Sequence, residues 1–437
     1  MIRLFKVSIP SSAVALILSE SALIFACYLL AAHLALDVPL VTFLFDQSGY
    51  WQISFETAVI VLGLYFSDLY ENFRVRSRIR LVQQFCLVLG IAFLLQSLLA
   101  VGRFGILLPK WVMVYGSGVV LVVVPLWRVL FTTLARKSSG GQKLLFLGSS
   151  AEVQEIVQTL NDIPELGMSP IGYLDTEPGS DPVPAAPRLG SLADLDAVLS
   201  ENHPARLVVG LANPEDLPVE RLLELRLGGL RIDEASSIYE AIFGRIPSCD
   251  LPPSRIVFAR DVHPRTTNVA LQSFYSFVTA LIALLAALPV MAGVALIVIL
   301  SSPGPVLVRE RCAGLHGKEF FVFKFRSAQI GNWIRALRLN LLPQLFNVLR
   351  GEMSIVGPRP ERTEFVSALE EKIPYYRQRL AVKPGITGWA QINEKDISTI
   401  EDSITKLEFD RYYIKNLSFW LDAYIVLHTL KRALLGR

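Results

Sequence analysis

Five runs of apolar residues constrain this chain more than any other feature. A helix of about 20 residues crosses the hydrocarbon core of a bilayer. The runs fall at Ser12 to Leu34, Ile53 to Tyr70, Val82 to Val101, Val112 to Leu134 and Phe274 to Leu300. Of the 437 residues, 52% are hydrophobic and 19% charged, against about a quarter charged in soluble domains. Apolar surface is therefore expected to meet lipid. The net charge of +3 gives no case for a nucleic-acid partner. Cys27, Cys86, Cys249 and Cys312 form no CxxC pair, so free thiols are expected rather than zinc or a disulfide framework. Arg3 and Lys6 precede the first run like the start of a signal peptide. Further spans follow without a small-residue cleavage site, which makes an uncleaved anchor the expectation.

Basic residues flank these runs unevenly. Arg74, Arg76, Arg78 and Arg80 fill the second connection, and Arg136, Lys137 and Lys143 follow the fourth run. The first connection has none, and the third has only Arg103 and Lys110. The positive-inside rule places both ends of the four-helix unit, residues 1–137, in the cytoplasm. Glu20, Glu56 and Arg128 lie within or at the ends of these runs. Such groups bond helix to helix, snorkel to an interface or line a polar pathway.

Between residues 142 and 263 short apolar runs alternate with helical patterns, as in a small parallel α/β module. Strands are expected at Lys143 to Leu147, Pro170 to Leu174 and Arg206 to Leu211, with helices at Ala151 to Leu160 and Leu217 to Leu227. The first turn, Gly148-Ser149-Ser150-Ala151-Glu152, has one glycine and an acid where a pyrophosphate would sit. That favours a regulatory or interaction module over a dinucleotide site. The fifth apolar run contains Pro289 and ends in Ser301-Ser302-Pro303-Gly304-Pro305. Hydropathy alone reads it as a fifth span; a proline-kinked segment is the other reading.

Three strings follow the fifth run. They are Phe323-Lys324-Phe325-Arg326-Ser327, then Gly351-Glu352-Met353-Ser354-Ile355-Val356-Gly357-Pro358-Arg359-Pro360, then Lys383-Pro384-Gly385-Ile386-Thr387-Gly388-Trp389-Ala390-Gln391. In this order behind an apolar segment they resemble the C-terminal catalytic domain of the bacterial polyprenyl-phosphate sugar-1-phosphate transferases. Tyr239 to Pro247 resembles a segment closing the middle module in larger members of that family. The resemblance implies a membrane α-helical N-terminal bundle, a small parallel α/β (Rossmann-like) module, and a mostly α transferase domain at 270–437. It also implies that the fifth run, 274–301, is a re-entrant helix that dips into one leaflet and returns.

The chemistry so implied attacks the phosphate of a nucleotide diphosphate sugar. It needs a nucleophile, cationic groups on the diphosphate oxygens and usually a divalent cation. Lys324 and Arg326 alternate along a strand-like stretch and share a face; they fit phosphate binding, a solvated face or contact with lipid headgroups. Arg359 is stiffened between two prolines. Glu352 stands where the family also has an acid, in a structural or metal-proximal contact. The family places an Asp nucleophile and a Glu near magnesium just before Leu-Pro-Gln-Leu. Here those two positions are Asn340 and Leu341. A carboxamide is a very poor nucleophile, and leucine cannot ligate magnesium, so no metal ligand is assigned and Mg²⁺ is expected only in an active copy. Ser273 and Ser276 replace a basic residue and an Asp of the family, and only Ala328 and Gln329 remain of a polar insertion after Arg326-Ser327. Glu361 and Glu364 could stand in for the dyad only after large rearrangement. Phe419 to Leu435 reads as an amphipathic helix in the headgroup plane or as a core-packing helix.

Two functions are therefore open. The first is transfer of a hexose-1-phosphate from a UDP-sugar to undecaprenyl phosphate, initiating exopolysaccharide or O-antigen assembly at the cytoplasmic face of the bacterial inner membrane. The alternative is a catalytically inactive paralogue that acts as a partner or regulator in polysaccharide assembly. Partners implied are undecaprenyl phosphate and membrane lipid, a UDP-sugar, and other assembly proteins or a second copy of the chain.

Overall fold

The computed structural model describes residues 2–4, 7–9, 11–70, 78–101, 107–138, 141–163, 166–175, 183, 186–211, 217–247, 264–301, 304–326, 338–393 and 399–435. The chain divides into two compact units, one dominated by Ile9–Gln142 and the other by Lys143–Asp162 with Pro170–Arg437.

Two short strands, β1 (Ile2–Leu4) and β2 (Val7–Ile9), pair near the N-terminus. The first unit is helical: α1 (Ser11–Ala35), α2 (Leu40–Asp46), α3 (Gly49–Phe66), α4 (Arg78–Val101) and α5 (Lys110–Ser138). α1 packs on α5 and α3, and α4 packs on α3 and α5. Ile24, Tyr28, Ile53, Ile60, Phe85 and Val120 meet in its core. The outside is apolar as well, with Leu18, Leu34, Leu94, Leu98 and Leu126 exposed. A helix that is apolar all round belongs in lipid. α1, α4 and α5 contain stretches long and apolar enough to cross a bilayer. α3 begins four residues before the expected run, carries Gln52 and Glu56 on its buried side, and falls outside that set.

The charges inside this bundle bond helix to helix. Arg128 of α5 donates Nε and Nη2 to the two carboxylate oxygens of Glu20 of α1, at 2.7 and 2.6 Å. Tyr70 donates to the same carboxylate at 2.7 Å. Glu56 of α3 accepts from Gln96 of α4 at 2.8 Å. Unpaired, each charge would be costly in this setting.

The second unit begins with the expected α/β module. Its elements are β3 (Gln142–Leu147), α6 (Ala151–Asp162), β4 (Met168–Asp175), β5 (Arg188–Ser191), α7 (Leu195–Asn202), β6 (Arg206–Val209), α8 (Val219–Leu227), β7 (Arg231–Glu234) and α9 (Ala235–Phe243). The sheet order is β5-β4-β3-β6-β7, and β3 pairs with β6, β4 with β5 and β6 with β7 in parallel. Leu144 to Leu147 of the central strand are fully buried, the pattern of a strand covered on both faces. β5, α7, β7 and α9 were not foreseen, because β5 and β7 offer little alternation to read.

α10 (Thr266–Ser301) follows and runs for 36 residues without interruption through Pro289. A proline inside a helix removes one backbone hydrogen bond and crowds the preceding turn, which favours a bend. Gln272, Ser276, Ala280, Leu284, Met291, Val294 and Val298 form its buried stripe, while Phe274, Ile282, Leu285, Leu296 and Leu300 are exposed.

Around that stripe the transferase region folds. It contains β8 (Leu307–Ala313), β9 (Glu319–Phe325), α11 (Gln344–Leu349), β10 (Ser354–Val356), β11 (Glu361–Arg362), α12 (Thr363–Glu370), β12 (Gly385–Thr387), α13 (Trp389–Asn393), α14 (Ile400–Asn416) and α15 (Phe419–Leu435). The region is mainly helical, with an antiparallel sheet of order β11-β8-β9 and a parallel pair β10-β12. One apolar cluster joins Ala280, Leu284, Met291, Val294 and Val298 of α10 to Cys312, Val322, Leu345 and Val348.

Candidate active site

The two glycine-rich strings meet as neighbouring strands. Ser354 faces Gly385 and Val356 faces Thr387 in the β10–β12 pair. Gly357 N donates to Thr387 O, and Gly385 N to Pro358 O, each at 2.9 Å. The backbones approach so closely that a Cβ on Gly385 would lie 2.1 Å from Gly357 N. One on Gly388 would lie 2.2 Å from Gly357 O. Only glycine fits such contacts, so the motifs are spaced for this union.

α10 supplies the other wall. Ser276 Oγ accepts from Ile355 N at 3.4 Å, and Gln272 Nε2 donates to Val356 O at 3.2 Å. Lys383 Nζ donates to Ser273 Oγ at 3.4 Å and stands beside Gly351. Lys383 has no carboxylate partner among the described residues. It opens the third signature string, and its place there was the signal that could have marked it. Ser273 and Ser276 thus face the joined strings.

The other sequence-derived residues fall into separate groups. Lys324 donates to Glu310 Oε2 at 2.5 Å, and Arg362 reaches Glu310 Oε1 at 3.3 Å. Burial would raise the Glu310 carboxyl, but Lys324 and Arg362 hold it below the usual carboxylate range. Lys324 is therefore already neutralised in this structure. Arg326 ends β9 with its guanidinium against Gly304. Glu352 accepts from Asn347 Nδ2 at 2.7 Å. The same amide donates to Phe321 O and accepts from Phe323 N, so Glu352 is tied to β9 through a fully buried asparagine. Asn340 and Leu341 lie half-buried in a 3₁₀ turn, Leu339–Leu341, that packs on β9.

Arg359 is exposed between its prolines, and its backbone is held from below. Arg379 Nη2 donates to Arg359 O at 3.0 Å. Arg379 also pairs with Glu361 and, at 3.1 Å, with Asp410, while Lys406 pairs with Glu361. Tyr376 donates to Glu361 at 2.6 Å. Burial would raise the Glu361 carboxyl, yet Arg379 and Lys406 overcome it and hold Glu361 at about 2. Glu361 is therefore committed to this four-charge cluster, which sequence reading missed because its members are dispersed. Glu364 lies in the first turn of α12.

The middle module docks on the third string. Trp389 Nε1 donates to Gly244 O at 2.6 Å. Arg245 pairs with Glu155 of α6 and, at 3.6 Å, with Glu408 of α14. Lys415 pairs with Glu240 at 3.0 Å. The segment Tyr239 to Pro247 is thus the joint between module and transferase region.

Protein sites usually give magnesium one or two carboxylates, with substrate phosphates and water completing its shell. Asn340 and Leu341 bring no carboxylate, and Glu352 and Glu361 are engaged as above, so these residues do not fit the ion.

Comparison with known proteins agrees with the motif reading. A family model described as "Bacterial sugar transferase" matches residues 267–330 and 327–436. One described as "CoA-binding domain" matches 61–225. The transferase match falls into two stretches that overlap at 327–330; residues 327–337 lie outside the described ones. A UDP-N-acetylgalactosamine-undecaprenyl-phosphate N-acetylgalactosaminephosphotransferase of Aeromonas hydrophila is 40% identical over 168 residues, 34% of this chain and 40% of the relative. A UDP-glucose:undecaprenyl-phosphate glucose-1-phosphate transferase of Xanthomonas campestris pv. campestris is 31% identical over 67% of this chain and 66% of its own length. A protein of the same description from Escherichia coli (strain K12) is 31% identical over 66% of this chain and 67% of its own. The chain therefore matches about two fifths to two thirds of the length of these relatives. A lipid-embedded helix bundle joined to an α/β module and a helical domain with paired glycine-rich strands defines a membrane protein. The chain belongs to the bacterial sugar transferase family.

Proposed function

We propose that the chain transfers a hexose-1-phosphate from a UDP-sugar to undecaprenyl phosphate and so initiates exopolysaccharide or O-antigen assembly. The observation that carries this reading is the union of the Gly-Pro-Arg and Lys-Pro-Gly strings beside α10, with Lys383 next to them and without a carboxylate partner among the described residues. Relatives described as undecaprenyl-phosphate sugar transferases support the substrates. In this reading Lys383 and Arg359 hold diphosphate oxygens. Asn340 offers no oxygen anion, so the acceptor's own phosphate oxygen attacks the β-phosphorus. A new phosphorus–oxygen bond forms, the bond to UMP breaks, and UMP leaves with the electron pair.

Residues 1–137 form the membrane region, 142–263 the cytoplasmic module and 270–437 the transferase domain. Basic flanks support both ends of the first region lying on the cytoplasmic side of a bacterial inner membrane. α10 is assigned a re-entrant path, with the change of direction placed at Pro289, where a proline can bend a helix. Ala280 and Val298, on either side of that proline, belong to one core cluster with β8, β9 and α11. A spanning helix would have to carry that cluster through hydrocarbon. Other assembly proteins or a second copy are further candidate partners.

A second reading, an inactive paralogue acting as a partner or regulator, is favoured by Asn340 and Leu341 at the dyad positions. One experiment separates the two. Purified full-length protein is incubated with UDP-sugars, with and without undecaprenyl phosphate, and UMP is measured. UMP that depends on acceptor is the expected result; background UMP under both conditions favours the paralogue. Asn340→Asp with Leu341→Glu is expected to add a burst of UMP without acceptor.

A further inference from the structure

Beside the joined strings lies a cleft of about 290 Å³, at the small end of the 300–1,000 Å³ or so typical of ligand pockets. Tyr275 and Thr279 of α10 form one wall, Ile355 and Val356 of β10 the floor, and Phe419 and Val426 of α15 the other wall. The lining is mostly apolar. Its single carboxylate, Asp422, accepts from Tyr275 at 2.5 Å, Tyr413 at 2.8 Å and Gln272 at 2.9 Å. Among the described residues no cation pairs with Asp422, so the cleft disfavours a second anion.

Its position narrows the occupant further. Ile355 donates its N–H to Ser276, one helical turn beyond the Ser273 that accepts from Lys383. The anion-attracting end of the site and the anion-repelling cleft are therefore neighbours along α10. Phe274, Ile282, Phe419, Trp420 and Leu430 are exposed around it, on the helices that carry the region's outward apolar surface. A phosphate near Lys383 with a hydrocarbon chain continuing past Ile355 satisfies both halves.

We propose that this α10–α15 cleft binds the phosphate-proximal isoprene units of the polyprenyl phosphate acceptor, an inference that rests on the function proposed above. Full-length protein in nanodiscs of phosphatidylethanolamine and phosphatidylglycerol is irradiated with a polyprenyl phosphate carrying a diazirine in its first isoprene units, then digested and mapped. The expected label lies on Tyr275–Thr279 and Phe419–Leu430 and is displaced by undecaprenyl phosphate but not by added phosphatidylglycerol. Label elsewhere, or equal displacement by phosphatidylglycerol, overturns the assignment. Ala423→Trp is expected to lower cleft labelling at least tenfold with little change in melting temperature. Leu430→Trp, at the exposed rim, is the second variant where the first does not fold, and unchanged labelling in a folded variant overturns the proposal. Labelling needs no turnover. Cleft label without UMP release removes the transfer function and keeps the lipid site, whereas UMP release without cleft label removes the site alone.

Discussion

The two sides of the transferase region are built to different standards. Beneath the Pro-Arg-Pro turn every charge has an opposite: Arg379 and Lys406 face Glu361 and Asp410, and Tyr376 adds a further bond. Beside α10, Lys383 meets a serine hydroxyl and, among the described residues, no carboxylate. The first side is finished without a ligand. The second has an unspent positive charge, and the proposed function puts a phosphate there.

The largest test of that contrast is Arg379→Met. It leaves Glu361 and Asp410 buried without their shared cation, and breaking a buried pair costs about 3–5 kcal/mol. Denaturant unfolding in detergent should show that loss; a change below about 1 kcal/mol would mean the cluster is solvated and the two sides are alike.

Acidity gives a second test with opposite signs in two places. Glu361 is held at about 2 in the fold, against about 4.3 unfolded. Its contribution is complete above the unfolded value and is lost as pH falls towards 2. Asp422 is pushed up to about 6 by burial, which its three hydrogen bonds only partly oppose. The fold therefore keeps a proton that the unfolded chain releases near about 3.9, and stability declines as pH rises from there through 6. Each effect is on the order of 3 kcal/mol. Melting temperatures across pH 4–6 should flatten in Asp422→Asn, and an unaltered slope would remove the assignment.

Smaller effects sharpen the contrast. Lys383→Met is expected to weaken UDP-sugar binding about tenfold, near 1.4 kcal/mol, with the melting temperature almost unmoved. Calorimetric titration measures it. Lys324→Met should cost less than about 1 kcal/mol of stability and leave nucleotide affinity close to normal, because Glu310 already neutralises that lysine. An equal loss of affinity in both variants would erase the distinction.

Much of the fold was legible because periodicity reports burial. The bundle helices α1, α3, α4 and α5, though not the short α2, the first module strand at Gln142–Leu147 and its helix at Ala151–Asp162 follow from apolar patterning. β8, β10 and β12 did not, since short strands in glycine- and charge-rich stretches carry no period. At the site, Arg359 and Glu352 were readable from their strings, and the structure adds what holds each one. Lys324 was read as a phosphate ligand from its alternation with Arg326; which carboxylate lies across the hairpin is a matter of register, and Glu310 sits two positions from the residue directly opposite. The Glu361 cluster was hidden because its four charges come from β11, the turn before Val382, and α14.

The indole of Trp389 rests on Gly244, where an added Cβ would come within 2.9 Å of the ring. Trp389 stands four residues after Gly385, whose backbone interlocks with Gly357. The joint thus works like a latch in which one bare contact sits beside ion pairs, Arg245 with Glu408 and Lys415 with Glu240. Part of any load arriving from α9 passes through this aromatic plate into the strand that frames Lys383, and even a methyl group at position 244 would push on that plate.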